Sequence, residues 1–180
     1  MEEHYYTESP VSEIKEKTFT STIKNVTLTL TSVSGVFAFE NRIDKASRIL
    51  IESFTPSGAS VLDMGCGYGA IGLFIKAIYN RQNVYMADIN SRATSYALSN
   101  AYINKLDVLV RKSDLFSELE DVKFDDIVTN PPMAAGKKLV TRLINESYEH
   151  LNISGALWLV SFHNKGGSTL KKIMESKFGN

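Results

Sequence analysis

The feature that most constrains the fold of this chain is a regular alternation of short apolar stretches and helical patterns after Pro56. Strands are predicted at 61–62, 84–87, 108–110, 126–128 and 156–162, and helices over 70–79, over 91–103, from Leu139 to Leu151 and from Leu170 to Phe178. Strands that alternate with helices form a mostly parallel sheet covered on both faces. The sequence therefore predicts an α/β, Rossmann-like, doubly wound fold.

The residues before this alternation predict an N-terminal extension. Between Phe19 and Leu30, Thr and Ser alternate with apolar residues, and Lys24-Asn25 supplies a turn, so a β-hairpin is expected. A helical pattern follows over 41–54 and ends before Pro56-Ser57-Gly58. We therefore divide the chain into an extension with a hairpin (1–40) and an α/β domain (41–180).

Composition excludes several classes of protein. The chain has 180 residues, of which 43% are hydrophobic and 22% charged, and this balance excludes a disordered chain. No apolar run approaches the roughly 18–20 residues that span a bilayer. Cys66 is the single cysteine, and His4, His150 and His163 are scattered, so we expect neither a disulfide nor a metal site. We expect a soluble, cytoplasmic protein.

The first strand of the predicted sheet leads into a glycine-rich loop. Residues 63–69 read Asp-Met-Gly-Cys-Gly-Tyr-Gly, and glycines at every second position let the backbone turn sharply and approach a ligand. The G-x-G-x-G spacing differs from the G-x-G-x-x-G of dinucleotide sites, and Asp63 would repel a pyrophosphate. An acid at this position favours a cationic group, such as the amino group of an amino acid.

Acidic residues also close the next two strands. Asp88 follows Gly69 by 19 residues and could accept the hydroxyl groups of a ribose, although capping the next helix is an alternative role. Asp114 closes the third strand and could accept a hydrogen bond from the exocyclic amine of adenine, and Leu115 beside it could pack on the ring. Three acids at successive strand ends suit an adenosine that carries an amino acid.

The fourth strand ends in Asn130-Pro131-Pro132-Met133. Prolines supply no N–H group and hold the preceding residue extended, so this loop presents carbonyl acceptors with few competing donors. The Asn130 side chain and the Pro131 carbonyl could together hold the two hydrogens of a planar NH2 group. A merely rigid loop is the alternative, but the position after a central strand favours a catalytic role.

Together these motifs resemble the class I S-adenosylmethionine-dependent methyltransferases that modify amino nitrogens. Four further segments narrow this resemblance, and they are residues 4–6, 34–37, 43–44 and 130–137. They are similar to the small-domain methyltransferases related to the bacterial ribosomal RNA guanine-N2 enzymes, especially their single-domain archaeal relatives. The resemblance covers nearly the whole chain and implies S-adenosylmethionine as cofactor. It implies that the cofactor is bound by Phe37, Asp44, Asp63, Gly65, Cys66, Gly67, Asp88, Ile89, Asp114, Leu115 and Asn130, and that Asn130, Pro131 and Pro132 form the catalytic loop.

Two departures from the family pattern bear on these expectations. Met133 stands where adenine-N6 and glutamine-N5 methyltransferases place an aromatic residue, which favours guanine N2 of ribosomal or other structured RNA. The family normally ends in an antiparallel pair of strands, and we expect these strands to be missing from this chain.

The Thr-rich hairpin and the basic stretch from Lys137 are expected to contact RNA. An adenine-N6 or protein glutamine-N5 methyltransferase, or a cofactor-binding module without turnover, remain alternatives. A nucleotide-binding oxidoreductase is the weakest alternative, because it would leave Asp63 opposite a pyrophosphate and Asn130-Pro131-Pro132 without a role.

Overall fold

The computed structural model describes residues 8–10, 12–162 and 167–179, so His4-Tyr5-Tyr6 and His163 lie outside the described residues. The strands are β1 Glu16–Ile23, β2 Val26–Val33, β3 Ser60–Met64, β4 Asn83–Asp88, β5 Leu109–Lys112, β6 Phe124–Thr129 and β7 Leu151–Leu159. The helices are α1 Lys45–Ser53, α2 Ala70–Ile78, α3 Ser91–Ile103, α4 Lys137–His150 and α5 Gly167–Phe178, with a short 3-10 turn at Met133–Ala135. None of the described helices has both the length and the apolar character to cross a membrane.

The N-terminal strands form the expected hairpin. β1 and β2 pair antiparallel around Lys24 and Asn25, whose φ angles of 47° and 65° give the two left-handed residues that a tight hairpin turn requires. The hydroxyl groups of Thr18 and Thr31 bond across the outer face at 2.9 Å. The inner face contributes Ile23, Leu28 and Leu30 to the apolar core that also contains residues of α1, α2 and α3, and Val33 at the end of β2 joins the same core. The hairpin therefore shares a core with the rest of the fold.

Asn100 of α3 and Asn104, which caps the end of α3, hold the hairpin against this helix. Asn100 bonds both the N–H and the C=O of Thr31 at 2.8 and 3.0 Å, and Asn104 bonds both groups of Thr29 at 2.9 and 2.7 Å. Four helical residues rise about 6 Å and two strand residues about 6.6 Å, so an i, i+4 pair on a helix matches an i, i+2 pair on a strand. Asn100 also donates to the carbonyl of Tyr68 and so connects the hairpin to the glycine loop.

The large sheet has the order β5-β4-β3-β6-β7, and all four of its strand pairs are parallel. The prediction of a doubly wound α/β fold is therefore confirmed. The chain runs outward from β3 through β4 to β5 and then returns to β6 on the other side of β3. Ligands of such sheets bind where the strand order reverses, beyond the carboxyl ends of the strands. Here the reversal lies between β3 and β6, where the glycine loop and Asn130-Pro131-Pro132 begin.

The last strand differs from its prediction. β7 begins at Leu151, directly after α4, whereas the apolar pattern assigned Leu151 to the helix and started the strand at Ala156. Leu151 pairs with Phe124 and Ala156 with Asp126, so the residues between them form a bulge in which Ser154 has a φ of 67°. The polar run of this bulge has the composition of a loop, and this hid the start of the strand.

Two neighbouring acids near the start of β6, Asp125 and Asp126, connect strands at the edge of the sheet opposite the carboxyl ends of the strands. Asp126 is buried and accepts from the Ser57 N–H at 2.7 Å and the Trp158 Nε1–H at 2.9 Å. Asp125 accepts from the N–H groups of Ala59 and Ser60, and the backbone bond from Ser60 is the first cause of the lowered pKa of Asp125. Hydrogen bonds within the fold therefore give both acids a structural role.

Candidate functional site

A cavity opens at the carboxyl ends of β3, β4 and β6, with about 1170 Å³ of empty space that includes open solvent at its mouth. Twelve of the residues singled out in the sequence line it: Phe37, Asp44, Gly65, Cys66, Gly67, Asp88, Ile89, Asp114, Leu115, Asn130, Pro131 and Pro132. Asp63 does not line it. The rest of the wall includes Ser47 of α1, Tyr68, and Leu139, Val140 and Leu143 of α4. The folded chain thus brings residues between Val36 and Leu143 to one site.

The glycine loop forms the floor of this cavity. Gly65 and Gly67 have φ angles of 73° and 56°, and a Cβ atom on Gly65 would meet nothing within 4 Å. The Gly65 and Cys66 N–H groups donate to the Ala87 carbonyl at 2.8 and 3.0 Å, and the Gly67 N–H donates to Asp88 Oδ2 at 2.9 Å. Three successive N–H groups of the loop are therefore already bonded to acceptors of β4. Because of this, this part of the loop cannot bind a phosphate through its N–H groups, in contrast to dinucleotide-binding loops.

Asp63 is fully buried. Its Oδ2 accepts from the Gly72 N–H at 2.8 Å, and its Oδ1 has no hydrogen-bond partner. Burial raises the pKa of this carboxyl to about 7, against the lowering effect of the Gly72 bond, and the charge of Asp88 raises it further. In the structure Asp63 ties the first turn of α2 to β3, and its contact with an amino group of a ligand stays a prediction.

Asp88 lines the cavity and also holds the loop. Its two oxygens accept from the N–H groups of Gly67 and Asn90, each at 2.9 Å. Burial raises its pKa, although hydrogen bonds from Asn90, Gly67 and Ile89 act in the opposite direction. Asn90 caps α3, accepting from Arg92 and Ala93. The capping role considered for Asp88 therefore belongs to Asn90.

The loop after β5 brings Asp114 and Leu115 to the cavity. Leu115 has a φ of 51°, and the Ser113 hydroxyl donates to its carbonyl at 2.6 Å, which braces this turn. The exposed Asp114 carboxylate pairs with the guanidinium of Arg142 on α4 at 3.2 Å. Sequence reasoning missed Arg142, because nothing in the helical pattern of α4 marks it as a partner of a residue 28 positions earlier.

The loop after β6 carries the three residues expected to be catalytic. Pro132 has φ −72° and ψ 81°, and the Met133 N–H donates to the Pro131 carbonyl at 2.8 Å, which is the geometry of an inverse γ-turn. The Pro131 carbonyl is thus already engaged once within the loop, and a second lone pair remains. Met133 packs against the cluster of Val140, Ile144 and Leu170 and is absent from the cavity wall.

The side chain of Asn130 contacts α1. Its Nδ2 donates to Asp44 Oδ1 at 3.2 Å and to Ser47 Oγ at 3.0 Å. Ser47 was missed in the sequence, where its position in a helical pattern gave no sign of a polar contact with a residue 83 positions later. Asp44, which the family resemblance placed over the cofactor, lines the cavity and also caps α1.

Two further side chains of the wall carry polar atoms. The Tyr68 hydroxyl is buried without a hydrogen-bond partner, and burial raises its pKa, with smaller contributions from the charges of Asp44 and Glu40. Burial likewise raises the pKa of the Cys66 thiol, so this cysteine is a poor nucleophile. Among the residues that the structure describes, no group of three His, Cys, Asp or Glu side chains could hold a metal ion.

Comparison with known proteins identifies the family of this site. Residues 27–180 match the model of the methyltransferase small domain. "Uncharacterized protein YbxB" of Bacillus subtilis is 39% identical over 180 residues, which cover 97% of this chain and 89% of that protein. "Ribosomal RNA small subunit methyltransferase C" of Haemophilus ducreyi is 36% identical over 141 residues, which cover 74% of this chain and 42% of that protein.

A solved structure is similar over most of the fold. It is the T. thermophilus 16S rRNA N2 G1207 methyltransferase (RsmC) in complex with AdoMet and guanosine, with a TM-score of 0.80 and 26% identity. The match covers 94% of this chain and 47% of that one, so the chain spans less than half the length of the ribosomal RNA methyltransferases it matches. The expected similarity to single-domain archaeal members stays a prediction. The family model covers most of the chain, and the chain therefore belongs to the methyltransferase small domain family of class I methyltransferases.

Proposed function

We propose that this protein transfers a methyl group from S-adenosylmethionine to N2 of a guanine in structured RNA, with ribosomal RNA as the substrate class. The observation that carries the proposal is the position of Asn130 and Pro131 in the same cavity as Asp88 and Asp114. The groups proposed to bind the acceptor and the donor thus face one cavity.

The residues of the cavity fit an adenosine-based methyl donor. Asp88 and Asp114 offer carboxylates for hydroxyl and amino groups, and Ile89 and Leu115 beside them offer apolar contact for a base. The empty space beside Gly65 allows close approach of a ligand to the backbone. When bound, the donor supplies an electrophilic methyl group on a sulfonium. Solved relatives contain AdoMet or S-adenosyl-L-homocysteine in their complexes.

The loop after β6 is suited to an amino group as acceptor. The Asn130 side chain and the Pro131 carbonyl accept its two hydrogens, which draws the nitrogen lone pair out of conjugation with the base. The acceptor nitrogen would form an N–CH3 bond as the S–CH3 bond of the donor breaks, with S-adenosylhomocysteine as the leaving group, and it would release one proton to solvent. Because the positive charge spreads from sulfur to nitrogen in this step, alignment and exclusion of water would do most of the catalytic work. The apolar α4 residues of the wall, Leu139, Val140 and Leu143, exclude water from this end of the cavity.

Two observations favour guanine in RNA over the alternatives. Met133 points to the cluster between α4 and α5, so no aromatic ring at this loop position is available to stack on an adenine or an amide. Lys137 and Lys138 are exposed at the start of α4, directly after the loop, where they can contact phosphates. The target base must leave its stack to enter the cavity, so an unpaired nucleotide is the expected target. We place this reaction in the cytoplasm, where ribosomes are found.

The test is incubation of the purified protein with methyl-labelled donor and separate fractions of ribosomal RNA, transfer RNA, DNA and protein. We expect label in RNA, and N2-methylguanosine in the nucleosides resolved by mass spectrometry. The Asn130→Ala variant is the control and should bind S-adenosylhomocysteine nearly as wild type does while losing transfer. N6-methyladenosine, or label confined to protein, would replace the proposed substrate by one of the alternatives. Donor binding without label in any fraction would indicate a binding module.

A further inference from the structure

The amide of Asn130 has one orientation that its neighbours permit. Its nitrogen lies 3.2 Å from Asp44 Oδ1 and 3.0 Å from Ser47 Oγ. A carboxylate accepts hydrogen bonds and cannot donate them, so the NH2 end of the amide must face Asp44. The contact with Asp44 therefore distinguishes the two ends of the amide on chemical grounds.

Asp44 is itself held in place by the helix it begins. The same Oδ1 atom accepts from the N–H groups of Ala46 and Ser47, both at 3.0 Å, which is the arrangement of a helix N-cap. Ser47 lies in the first turn of α1 and is 5% exposed, so its side chain has little freedom. Asn130 is therefore bound to two groups whose positions α1 determines.

These contacts leave the oxygen of the Asn130 amide free to accept a hydrogen bond. Both hydrogens of Nδ2 have acceptors on α1, and Oδ1 accepts no hydrogen bond from the described residues. Asn130 lines the cavity, so its free polar end is an acceptor on the same loop as the Pro131 carbonyl. An amide turned by 180° would instead present a donor to an amine, and the two would repel each other.

We propose that Asp44 and Ser47 are positioning residues that hold the Asn130 amide with its oxygen available to the methyl acceptor. This inference rests on the proposed function, because the acceptor is taken to be an amino group. It assigns Asp44 a role at the catalytic loop in addition to the place over the cofactor that the family resemblance implied.

The variants Ser47→Ala and Asp44→Asn test this role. Ser47→Ala removes one acceptor and keeps the cap of α1, and Asp44→Asn keeps a good cap but can present either an oxygen or a nitrogen to Asn130. Each should lower kcat about tenfold. Ser47→Ala, at a residue outside the cofactor-binding set, should also keep KM for the donor within about twofold of wild type. Ser53→Ala, an exposed serine at the other end of the same helix, is the matched control and should leave kcat unchanged. Thermal melting by circular dichroism checks that all variants fold.

A second readout is independent of turnover. In two-dimensional ¹H–¹⁵N NMR spectra, the side-chain NH2 signals of Asn130, assigned with Asn130→Ala, should shift in Ser47→Ala and Asp44→Asn and stay in place in Ser53→Ala. Unchanged Asn130 signals and unchanged kcat in both variants would overturn the positioning role while leaving the proposed methylation intact. If the Asn130 signals shift in both variants but wild type methylates no RNA, the proposed function is wrong. The contacts of Asp44 and Ser47 with Asn130 are then still supported.

Discussion

The carboxylate of Asp88, at the end of β4, accepts a hydrogen bond from the backbone N–H of Gly67 at 2.9 Å. The acid expected to bind a ligand thus also determines the shape of the glycine loop opposite it. Its other oxygen is bonded to the Asn90 N–H, so the side chain is fixed before any ligand arrives. Loop and carboxylate form one preorganised unit on the cavity wall.

Replacing Asp88 should therefore weaken donor binding in two ways. Asp88→Ala removes an acceptor for the ligand and releases the Gly67 N–H, and we expect the affinity for S-adenosylhomocysteine to fall about 10–100-fold. Isothermal titration calorimetry measures this directly. Asp107→Asn, at an exposed acid before β5, is the control and should bind like wild type. Equal affinities of wild type and Asp88→Ala would contradict a role of Asp88 in donor binding.

The buried carboxyl of Asp63 should make stability depend on pH. Burial raises its pKa from 3.8 to about 7. Between these values the unfolded chain has released a proton that the folded protein keeps, so the free energy of unfolding falls as the pH rises. The loss is complete above pH 7 and amounts to roughly 4 kcal/mol.

Urea denaturation of wild type and Asp63→Asn at pH 4.5 and pH 8 tests this effect. Asparagine keeps an acceptor for Gly72 and cannot ionise, so the variant should gain stability relative to wild type as the pH rises. Asp88, whose pKa burial also raises, is present in both proteins, but its charge also raises the pKa of Asp63, so the measured difference includes the coupling between the two acids. A difference in stability that is the same at both pH values would show that Asp63 does not titrate as expected.

The hold of α3 on the hairpin predicts a large loss of stability at Asn100. Its fully buried side chain bonds the N–H and C=O of Thr31 and the carbonyl of Tyr68. Asn100→Ala leaves these groups without partners and should lower the free energy of unfolding by about 3–5 kcal/mol. Urea denaturation measures the loss, and Asn145→Ala, at an exposed position of α4, should change stability by less than about 0.5 kcal/mol. A small effect at Asn100 would mean that apolar packing alone retains the hairpin.

The order of strands and helices in the α/β domain could be predicted because each strand of the large sheet contains a short apolar stretch bounded by glycine, proline or polar residues. The location of the site could be predicted from the same pattern, because the carboxyl ends of parallel strands lie at one edge of the sheet. The contacts of Asn100, Ser47 and Arg142 could not be predicted, because each joins residues far apart in sequence through a single polar side chain. The start of β7 was missed for a local reason, since its bulge reads as a loop.

The fourth residue of the loop after β6 should affect stability rather than the choice of substrate. Met133 packs against Val140, Ile144 and Leu170 and does not line the cavity. Met133→Ala should therefore lower the free energy of unfolding by about 1–2 kcal/mol through lost packing, less than at a fully buried site because Met133 is half-buried. The methylated nucleoside should remain the same, as mass spectrometry of the product can show. A change of product with unchanged stability would place this side chain at the acceptor base and contradict the packing seen between α4 and α5.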